Sequence, residues 1–224
     1  MMSIQKKKRS EIIGILDLQG GVHEHLDHLQ RLEIKSRRVK QASDFNGLAG
    51  LIIPGGESSC ISRLINLFKI KEPLLNAYEK GMKIWGTCAG AILLAKQVAG
   101  EISCLGLIDI EIERNSFGSQ LDSFKTEALI PEIANDKIPL TFIRAPKILN
   151  AGRDVKVLLR IDDYIAAAES ENILVTVFHP ELTASLDFHR YFAVKCGLKP
   201  AINTKGFNDQ QWNTCSWTRF TRSA

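Results

Sequence analysis

Residues 82–90 read Met82-Lys83-Ile84-Trp85-Gly86-Thr87-Cys88-Ala89-Gly90, and an apolar run, Ile92-Leu93-Leu94-Ala95, follows them closely. The apolar residues before the first glycine predict a buried strand over 82–86, and those after the second glycine predict a helix over 89–98. Glycines on both sides of Cys88 permit a sharp turn between the two elements. A cysteine at such a strand-to-helix turn is how an α/β fold presents a nucleophile.

The alternation of strand and helix extends to both sides of this segment. Before it, strands are predicted at 12–18, 36–40 and 50–53, and helices at 22–33, 58–68 and 72–80. After it, strands are predicted at 107–113, 140–144, 155–161, 164–168 and 173–178, with a hairpin turn at 162–163 and a closing helix at 186–196. This order predicts an α/β fold in three layers, with a mostly parallel central sheet and helices on both faces.

Charge divides the chain into three parts. The formal net charge is +4; residues 1–10 carry +4 and residues 198–224 carry +3, which leaves −3 for residues 11–197. A nucleic-acid-binding domain would cluster basic residues on a folded face, so we expect no nucleic-acid partner. We expect a basic N-terminal extension at 1–10, one domain at 11–197 and a poorly ordered C-terminal tail at 198–224. The basic cluster Lys6–Arg9 is more simply a solvated tail than a localisation signal.

The tail also allows a second interpretation. Two of the three tryptophans, Trp212 and Trp217, lie in it, so docking of this segment on the domain or on a partner is the alternative to disorder.

The cysteine pattern and the absence of long apolar runs indicate in which cellular compartment the protein is expected. The five cysteines form no C-x-x-C pair and are odd in number: Cys60, Cys88, Cys104, Cys196 and Cys215. They therefore indicate free thiols rather than a disulfide framework or a zinc ribbon. No apolar run approaches the roughly 20 residues of a membrane span, and the N-terminus lacks the apolar stretch of a secretory signal. We expect a cytoplasmic protein without a membrane partner.

A candidate base for Cys88 lies far along the chain. His179-Pro180-Glu181 follows the predicted strand 173–178. In an extended segment, side chains two residues apart point to the same side, so Glu181 can accept from one nitrogen of His179 while the other nitrogen faces the thiol. Together the three side chains predict the catalytic triad of a cysteine hydrolase. A buried structural cysteine is the plainer alternative.

Acyl transfer also needs donors for a developing oxyanion. The N–H of Ala89, directly after the nucleophile, is one candidate. The stretch Pro54-Gly55-Gly56-Glu57-Ser58 ends another predicted strand, and its glycines can bring a second N–H to the substrate. A helix-capping turn or a phosphate-binding loop is the alternative, although the pattern G-x-x-x-x-G-K-[ST] is missing.

These motifs resemble those of a known enzyme family. Residues 54–58, 86–90 and 178–181 are similar to the motifs of the triad (class I-like) glutamine amidotransferases. Three further stretches narrow the resemblance: Leu18-Gln19-Gly20, Arg114-Asn115-Ser116-Phe117-Gly118 with Gln120 and Asp122-Ser123-Phe124, and Phe142-Ile143-Arg144-Ala145-Pro146. Over residues 11–196 the chain resembles the glutaminase subunits of pyridoxal 5′-phosphate synthase, the PdxT/SNO family.

The resemblance implies a glutaminase domain at 11–197 that hydrolyses L-glutamine to L-glutamate and ammonia. Cys88 would attack the side-chain carboxamide, His179 would protonate the departing ammonia, and Glu181 would orient His179. Water would then hydrolyse the glutamyl thioester. The ammonia would pass to a (β/α)-barrel synthase subunit in a hetero-oligomer that makes vitamin B6, and the glutaminase itself would need no cofactor.

The resemblance also implies roles around the triad. The amides of Gly56 and Ala89 would form the oxyanion hole. The glutamine-binding positions would be Gly56, Glu57, Ser58, Arg114, Ile143 and Arg144. An arginine suits a carboxylate because its planar fork binds two oxygens; a surface ion pair is the alternative for both arginines. Gln19 matches a position near the synthase contact, where docking completes the oxyanion loop; a polar residue that ends the first strand is the alternative.

Three positions depart from the family pattern. Asp17 stands where a small residue is usual, Cys60 where threonine is common, and Ser119 where arginine is usual. None belongs to the proposed triad, but Asp17 and Ser119 can alter partner docking or local electrostatics.

A histidine-rich segment, with His23, His25 and His28, raises the question of a metal site. On a helix His23 lies well away from His25, and no nearby cysteine completes a ligand set. We therefore expect a solvated helix face and no metal.

Two other functions remain compatible with the motifs. One is a glutaminase that serves another synthase, such as imidazole glycerol phosphate synthase; the stretches 114–118 and 142–146 argue against it. The other is an inactive scaffold that only binds the partner; the intact Cys88, His179 and Glu181 argue against that.

Overall fold

The computed structural model describes residues 11–114 and 123–201. Its strands are β1 (Ile12–Leu16), β2 (Ser36–Val39), β3 (Leu48–Ile53), β4 (Lys83–Thr87), β5 (Ala95–Val98), β6 (Ile108–Glu113), β7 (Phe124–Leu129), β8 (Lys137–Phe142), β9 (Lys147–Ala151), β10 (Lys156–Ile161), β11 (Tyr164–Glu169) and β12 (Ile173–Thr176). Its α-helices are α1 (Val22–Arg31), α2 (Ser58–Leu67), α3 (Lys71–Glu79), α4 (Ala89–Leu94) and α5 (Asp187–Lys195), and short 3-10 helices lie at Ala42–Phe45 and Pro180–Leu182.

The described strands form one large sheet and one small ribbon. Within the large sheet, β2, β1, β3, β4 and β12 are neighbours in that order and all run parallel. The sheet continues through β11 and β9 to β6 and β5; β11 pairs antiparallel with β12, β9 and β10, and β5 runs parallel to β6. The ribbon is the antiparallel pair β7 and β8. The parallel half places the carboxyl ends of β3, β4 and β12 at one edge, where crossover connections bring in the helices.

Two neighbouring residues of β4 show that helices cover opposite faces of this sheet. The Trp85 ring packs against Phe188 and Phe192 of α5, with ring centroids 6.1 and 5.6 Å apart. Gly86 faces the other side, where a Cβ would lie only 2.5 Å from the carbonyl carbon of Gly90 in α4. The three-layer α/β fold predicted from the alternation of elements is confirmed.

The central strands are buried on both faces. All four residues of β12 are buried, as are all but the first residue of β4. A strand covered on both faces has no need of polar side chains, which explains why these segments appear in the sequence as short continuous apolar runs.

Two sequence predictions fail where strand pairing outweighs local pattern. The helix predicted over 89–98 ends at Leu94, because the next four residues pair in parallel with β6 as β5. The strands β7 and β9 were not predicted. Most of β7 is exposed, so it lacks the apolar period that identifies a strand. The hairpin predicted at 162–163 is confirmed by the antiparallel pairing of Ile161 with Tyr164.

Residues 198–201 pack against the domain. The Leu198 N–H donates to Ala193 O, and the Ala201 N–H donates to Leu32 O at 3.0 Å. The predicted extension at 1–10, the rest of the predicted tail and the motif residues at 115–122 lie outside the described residues. Within the ranges 11–114 and 123–201, no helix is long and apolar enough to cross a membrane.

Candidate active site

Cys88 occupies a strained turn between β4 and α4. Its backbone has φ 48° and ψ −104°, a conformation that residues other than glycine rarely adopt. The Cys88 N–H donates to Thr176 O at 2.8 Å, and its own carbonyl accepts from Ala91 N–H at 3.1 Å. Strain of this kind costs on the order of 1–3 kcal/mol and persists only where the surrounding structure holds it. The turn presents the thiol at the carboxyl end of β4, with 7% of the residue exposed.

Close packing requires the two glycines of this turn. A Cβ on Gly90 would lie 2.1 Å from Ile53 O of β3, and one on Gly86 would meet the backbone of Gly90. Both contacts are with backbone atoms, so a side chain at either position would push α4 away from the sheet. The glycines therefore set the position of Cys88 as well as its conformation.

The structure brings His179 and Glu181 to Cys88. His179 Nδ1 lies 2.7 Å from Glu181 Oε1, and the His179 ring also interacts electrostatically with Cys88. The His179 N–H donates to Thr141 O of β8, which anchors the segment. His179 is 7% exposed and Glu181 only 1%, so the pair operates largely out of water.

The local geometry of this pair differs from the one predicted. The strand β12 ends at Thr176, and Glu181 lies in the 3-10 helix Pro180–Leu182 rather than in an extended segment. The turn after His179 folds the carboxylate back beneath the imidazole. The predicted neighbours therefore meet through a turn and not through strand alternation.

Neighbouring charges outweigh burial at both members of the pair. Burial by itself would lower the pKa of His179, but the negative charges of Cys88 and Glu181 raise this pKa by a larger amount. The pKa of His179 therefore lies well above the ordinary histidine value. Burial raises the pKa of Glu181, but the positive charge of His179 brings it below the ordinary value. The site thus stabilises an imidazolium on His179 beside an ionised carboxylate.

The Gly55–Gly56 loop packs tightly against the triad. A Cβ on Gly55 would lie 2.4 Å from His179 Cε1 and 3.3 Å from Cys88 Cβ. The Gly55 N–H donates to Thr87 Oγ1 at 2.9 Å, so the residue before the nucleophile holds this loop. Sequence reasoning did not identify Thr87 as a site residue, although it stands inside the 86–90 motif at the end of a strand.

A second loop holds the first one in place. The Glu57 N–H donates to Gln19 Oε1 at 2.8 Å, which ties the end of β1 to the start of α2. A Cβ on Gly20, whose φ is +105°, would collide with Gly55 O at 1.7 Å. Gln19 is therefore in direct contact with the predicted oxyanion loop.

Every residue predicted for the site lines one cavity of about 850 Å³. Those residues are Gln19, Gly56, Glu57, Ser58, Cys88, Ala89, Arg114, Ile143, Arg144, His179 and Glu181. Since they come from six separate segments of the chain, their convergence is a property of the fold.

Arg114 makes ion pairs at the edge of this cavity. Its guanidinium contacts both carboxylate oxygens of Glu101, at 2.8 Å to Oε2, and Glu57 Oε1 at 3.2 Å. Both carboxylates are about half exposed, so the pairs are exchangeable with solvent or with an anionic ligand. Arg144 follows β8 in a bend with φ 44° and is exposed.

The histidines of α1 correct a prediction. His23 is exposed and contacts Arg38, but His25 and His28 are completely buried. The expected solvated face is wrong for these two, because this side of α1 packs against α5 and the 3-10 helix at Pro180–Leu182. No group of three or more histidine, cysteine or acidic side chains suited to a metal ion occurs in the part of the chain that the structure describes.

The structure shows the surroundings of two of the three residues that depart from the family pattern. Asp17 Oδ2 pairs with Arg38 at 3.2 Å and with Lys40 at 3.3 Å, so its negative charge is balanced locally. Cys60 is exposed on α2. Ser119 lies outside the described residues.

Comparison with known proteins agrees with the chemistry of the site. The model of a family described as the SNO glutamine amidotransferase family matches residues 15–198. A protein named pyridoxal 5′-phosphate synthase subunit PdxT from Syntrophus aciditrophicus (strain SB) is 58% identical over 220 residues, which are 97% of this chain and 98% of that protein. A protein of the same name from Clostridium acetobutylicum is 48% identical over 181 residues, 80% of this chain and 97% of its own.

A solved structure also resembles the chain. It is described as a crystal structure of glutamine amidotransferase, and it superposes with a TM-score of 0.78 at 38% sequence identity. The match covers 83% of this chain and 99% of the solved chain.

Proposed function

The chain belongs to the SNO glutamine amidotransferase family, and from this premise we propose that it is the glutaminase subunit of a pyridoxal 5′-phosphate synthase, hydrolysing L-glutamine to L-glutamate and ammonia. One observation carries the chemistry: a strained cysteine lies beside a buried histidine whose Nδ1 is 2.7 Å from a buried glutamate. The relatives named as synthase subunits support the biological role.

The reaction follows from the protonation states of the triad. The Cys88 sulfur attacks the carboxamide carbon of glutamine, and the carbonyl oxygen becomes an oxyanion. The protonated His179 donates to the amide nitrogen as its bond to carbon breaks, which releases ammonia and leaves a glutamyl thioester. Neutral His179 then takes a proton from water, the resulting hydroxide attacks the thioester, and glutamate leaves as the Cys88 sulfur is set free and His179 is again protonated.

Two backbone amides are proposed for the oxyanion hole. The Ala89 N–H belongs to the first residue of α4 and so has no acceptor within the helix. The Gly56 N–H lies in the loop that packs on Cys88 and His179. Donors held by the backbone need no reorganisation when charge develops on the substrate.

The glutamine backbone is assigned to the outer part of the cavity. We assign its carboxylate to Arg114, whose present partners Glu57 and Glu101 are exchangeable surface carboxylates. When Arg114 releases Glu57 to bind the glutamine carboxylate, Glu57 becomes available for the ammonium group of the same glutamine. The remaining contacts are assigned to Ser58, Ile143 and Arg144, which also line the cavity.

The proposed partner is the (β/α)-barrel synthase subunit, which receives the ammonia within a hetero-oligomer. We also propose a cytoplasmic location. The described cysteines are all free thiols, and an enzyme that depends on a thiol suits a reducing compartment.

The direct test is glutamine hydrolysis with and without the synthase subunit of the same organism. We expect release of glutamate and ammonia in the complex, and pyridoxal 5′-phosphate formation from pentose and triose phosphates with glutamine as the nitrogen source. A complex without hydrolysis would favour the inactive scaffold. Hydrolysis that never supports pyridoxal 5′-phosphate formation would favour a glutaminase serving another synthase.

Gln19→Ala tests the proposed link between partner docking and the oxyanion loop. The substitution removes the acceptor for the Glu57 N–H beside Gly56. We expect the turnover of the complex to fall about tenfold, the effect of one well-placed hydrogen bond, while the Kd for the synthase changes less than about threefold.

Gln30→Ala is the matched control, because Gln30 is an exposed glutamine of α1 that does not line the cavity. It should leave both quantities unchanged. Equal losses of turnover and affinity in Gln19→Ala would make Gln19 an ordinary interface residue.

A further inference from the structure

Three buried histidines lie directly behind the triad carboxylate. His25 and His28 come from α1 and His189 from α5, and all three are 0% exposed. His25 Nδ1 lies 2.8 Å from His189 Nε2, and the rings of His28 and His189 are 4.4 Å apart. Burying three imidazoles in one place is costly unless their nitrogens have hydrogen-bond partners.

His25 connects this cluster to the active site. Within the described ranges, Glu181 Oε2 is buried and has no hydrogen-bond partner. His25 Nε2 lies 3.6 Å from that oxygen and 3.5 Å from Thr87 Oγ1. The same Thr87 oxygen accepts from the Gly55 N–H. One imidazole edge therefore faces the triad carboxylate and the residue that precedes the nucleophile.

The protonation of the cluster follows from its burial. Burial lowers the pKa of His25 to about 4, although Glu181 acts against it and His179 reinforces it. Burial also lowers the pKa of His189 to well below the ordinary value, with the charges of His28, His25 and Arg31 acting in the same direction. Both imidazoles are therefore neutral at pH 7, and each carries one N–H.

The position of each N–H follows from the contacts. If His25 donated from Nδ1, its Nε2 would turn a lone pair toward the carboxylate, and His189 would bury an N–H at Nδ1, an atom without a partner among the described residues. If His189 donates from Nε2, His25 carries its hydrogen on Nε2, facing Glu181 Oε2. The second arrangement removes the repulsion between the His25 Nε2 lone pair and the carboxylate, and it leaves a lone pair instead of a buried N–H at His189 Nδ1.

We propose that His25 is a positioning residue for the glutaminase reaction: it directs its Nε2–H at Glu181 Oε2 and holds the carboxylate in the orientation that receives the Nδ1–H of His179. His189 holds His25 in the required tautomer. At 3.6 Å the contact is electrostatic and longer than a hydrogen bond, and contacts of this kind tighten in the reacting complex. The reaction named here rests on the proposed function, whereas the arrangement of the four side chains does not.

Substitutions at position 25 test this role in the complex with the synthase. His25→Leu and His25→Asn should lower kcat for glutamine about 10- to 100-fold, because the first lacks a donor and the second is too short to reach Oε2. KM should stay within about threefold, since the proposed role lies behind the triad and not at the substrate. His25→Gln places an amide donor near the position of Nε2 and should recover kcat to within about fivefold.

His28→Leu is the matched control. His28 is equally buried on the same helix, but its Nε2 contacts Thr183 O instead of Glu181. It should keep kcat within about threefold even if the thermal midpoint falls. Equal losses of kcat in His28→Leu and the His25 variants would overturn the proposal, because they would indicate general loosening of the core.

Alkylation provides a readout that does not depend on glutamine. The rate of Cys88 modification by iodoacetamide at pH 7, followed by mass spectrometry of the Cys88 peptide, should fall about tenfold in His25→Leu and His25→Asn and recover in His25→Gln. Wild-type rates in both defective variants would overturn the proposal. If the alkylation pattern holds while the wild-type complex hydrolyses no glutamine, the proposed function fails and the positioning role of His25 stands.

Discussion

Cys88→Ala eliminates glutamine hydrolysis by the complex, with an expected fall in kcat of about 10⁴-fold or more. The reason is that the sulfur forms the covalent bond to the substrate. The replacement keeps the Cβ that the strained backbone already carries at φ 48°, so the turn and α4 should keep their positions. Release of glutamate and ammonia measures the loss, and affinity for the synthase, which should be unchanged, shows that the fold is intact.

Cys60→Ala serves as the control for this experiment. Cys60 is an exposed free thiol on α2 and does not line the cavity. Its removal should leave kcat within about twofold, as is usual for surface substitutions. Ammonia release that survives in Cys88→Ala would refute the mechanism proposed above.

Acid should destabilise the fold steeply between about pH 6.5 and pH 4. Burial lowers the pKa of both His25 and His28 from 6.5 to about 4, and it lowers that of His189 well below 6.5. In this range the unfolded chain binds protons that the folded cluster does not, so the free energy of unfolding falls as pH falls. Each histidine contributes up to about 1.4 kcal/mol per pH unit, which for three amounts to about 4 kcal/mol per unit at the steepest point.

The triad residues do not cancel this effect. His179 has a raised pKa, so the stability that it contributes is present at low pH and is lost as pH rises through its folded pKa. Glu181 has a lowered pKa, so its contribution is lost only below the ordinary carboxyl range. The window from pH 6.5 to 4 therefore reports mainly on the buried histidines.

Urea unfolding at several pH values measures the effect, with the m-value checked for constancy. The slope of unfolding free energy against pH should fall by about one third in His28→Leu, which removes one of the three groups. An unfolding free energy that is the same at pH 7 and pH 5 would contradict the assignment of neutral imidazoles in the core. Since domains are stable by only about 5–15 kcal/mol, the expected loss is a large part of the total.

Local patterns in the sequence were sufficient to predict the strands of the parallel half of the sheet. Runs such as Gly50–Ile53 and Ile173–Phe178 are continuous and apolar because the strands are covered on both faces. The predicted family resemblance, which depended on motifs at strand ends, is confirmed by the family match over residues 15–198. Strand β5 could not be predicted in the same way, since Ala95–Val98 is a strand only through its pairing with β6.

In the site, as in the fold, the types of the important residues could be predicted from the sequence, whereas their surroundings could not. The motifs at 54–58, 86–90 and 178–181 carry the proposed nucleophile, the proposed base and the glycines, because that chemistry and those close contacts tolerate few other residues. Burial of His25 and His28 could not be predicted, since polar residues at helical spacing look alike whether the helix face meets water or another helix. Only the packing of α1 against α5 and the 3-10 helix Pro180–Leu182 turned that face inward.

By itself, the sequence determined the alternating α/β plan and the strand-to-helix turn at Cys88, and it was sufficient to predict the triad residues proposed above. These depend on apolar period and on residue chemistry, both of which are local. The tertiary structure alone decided how His179 meets Glu181 through a turn, how Gln19 reaches the loop at Gly56, and which histidines lie behind the triad. Those features join segments as far apart in the chain as His25 and His189, and contacts at such separations exist only once the strands have paired and the helices have packed.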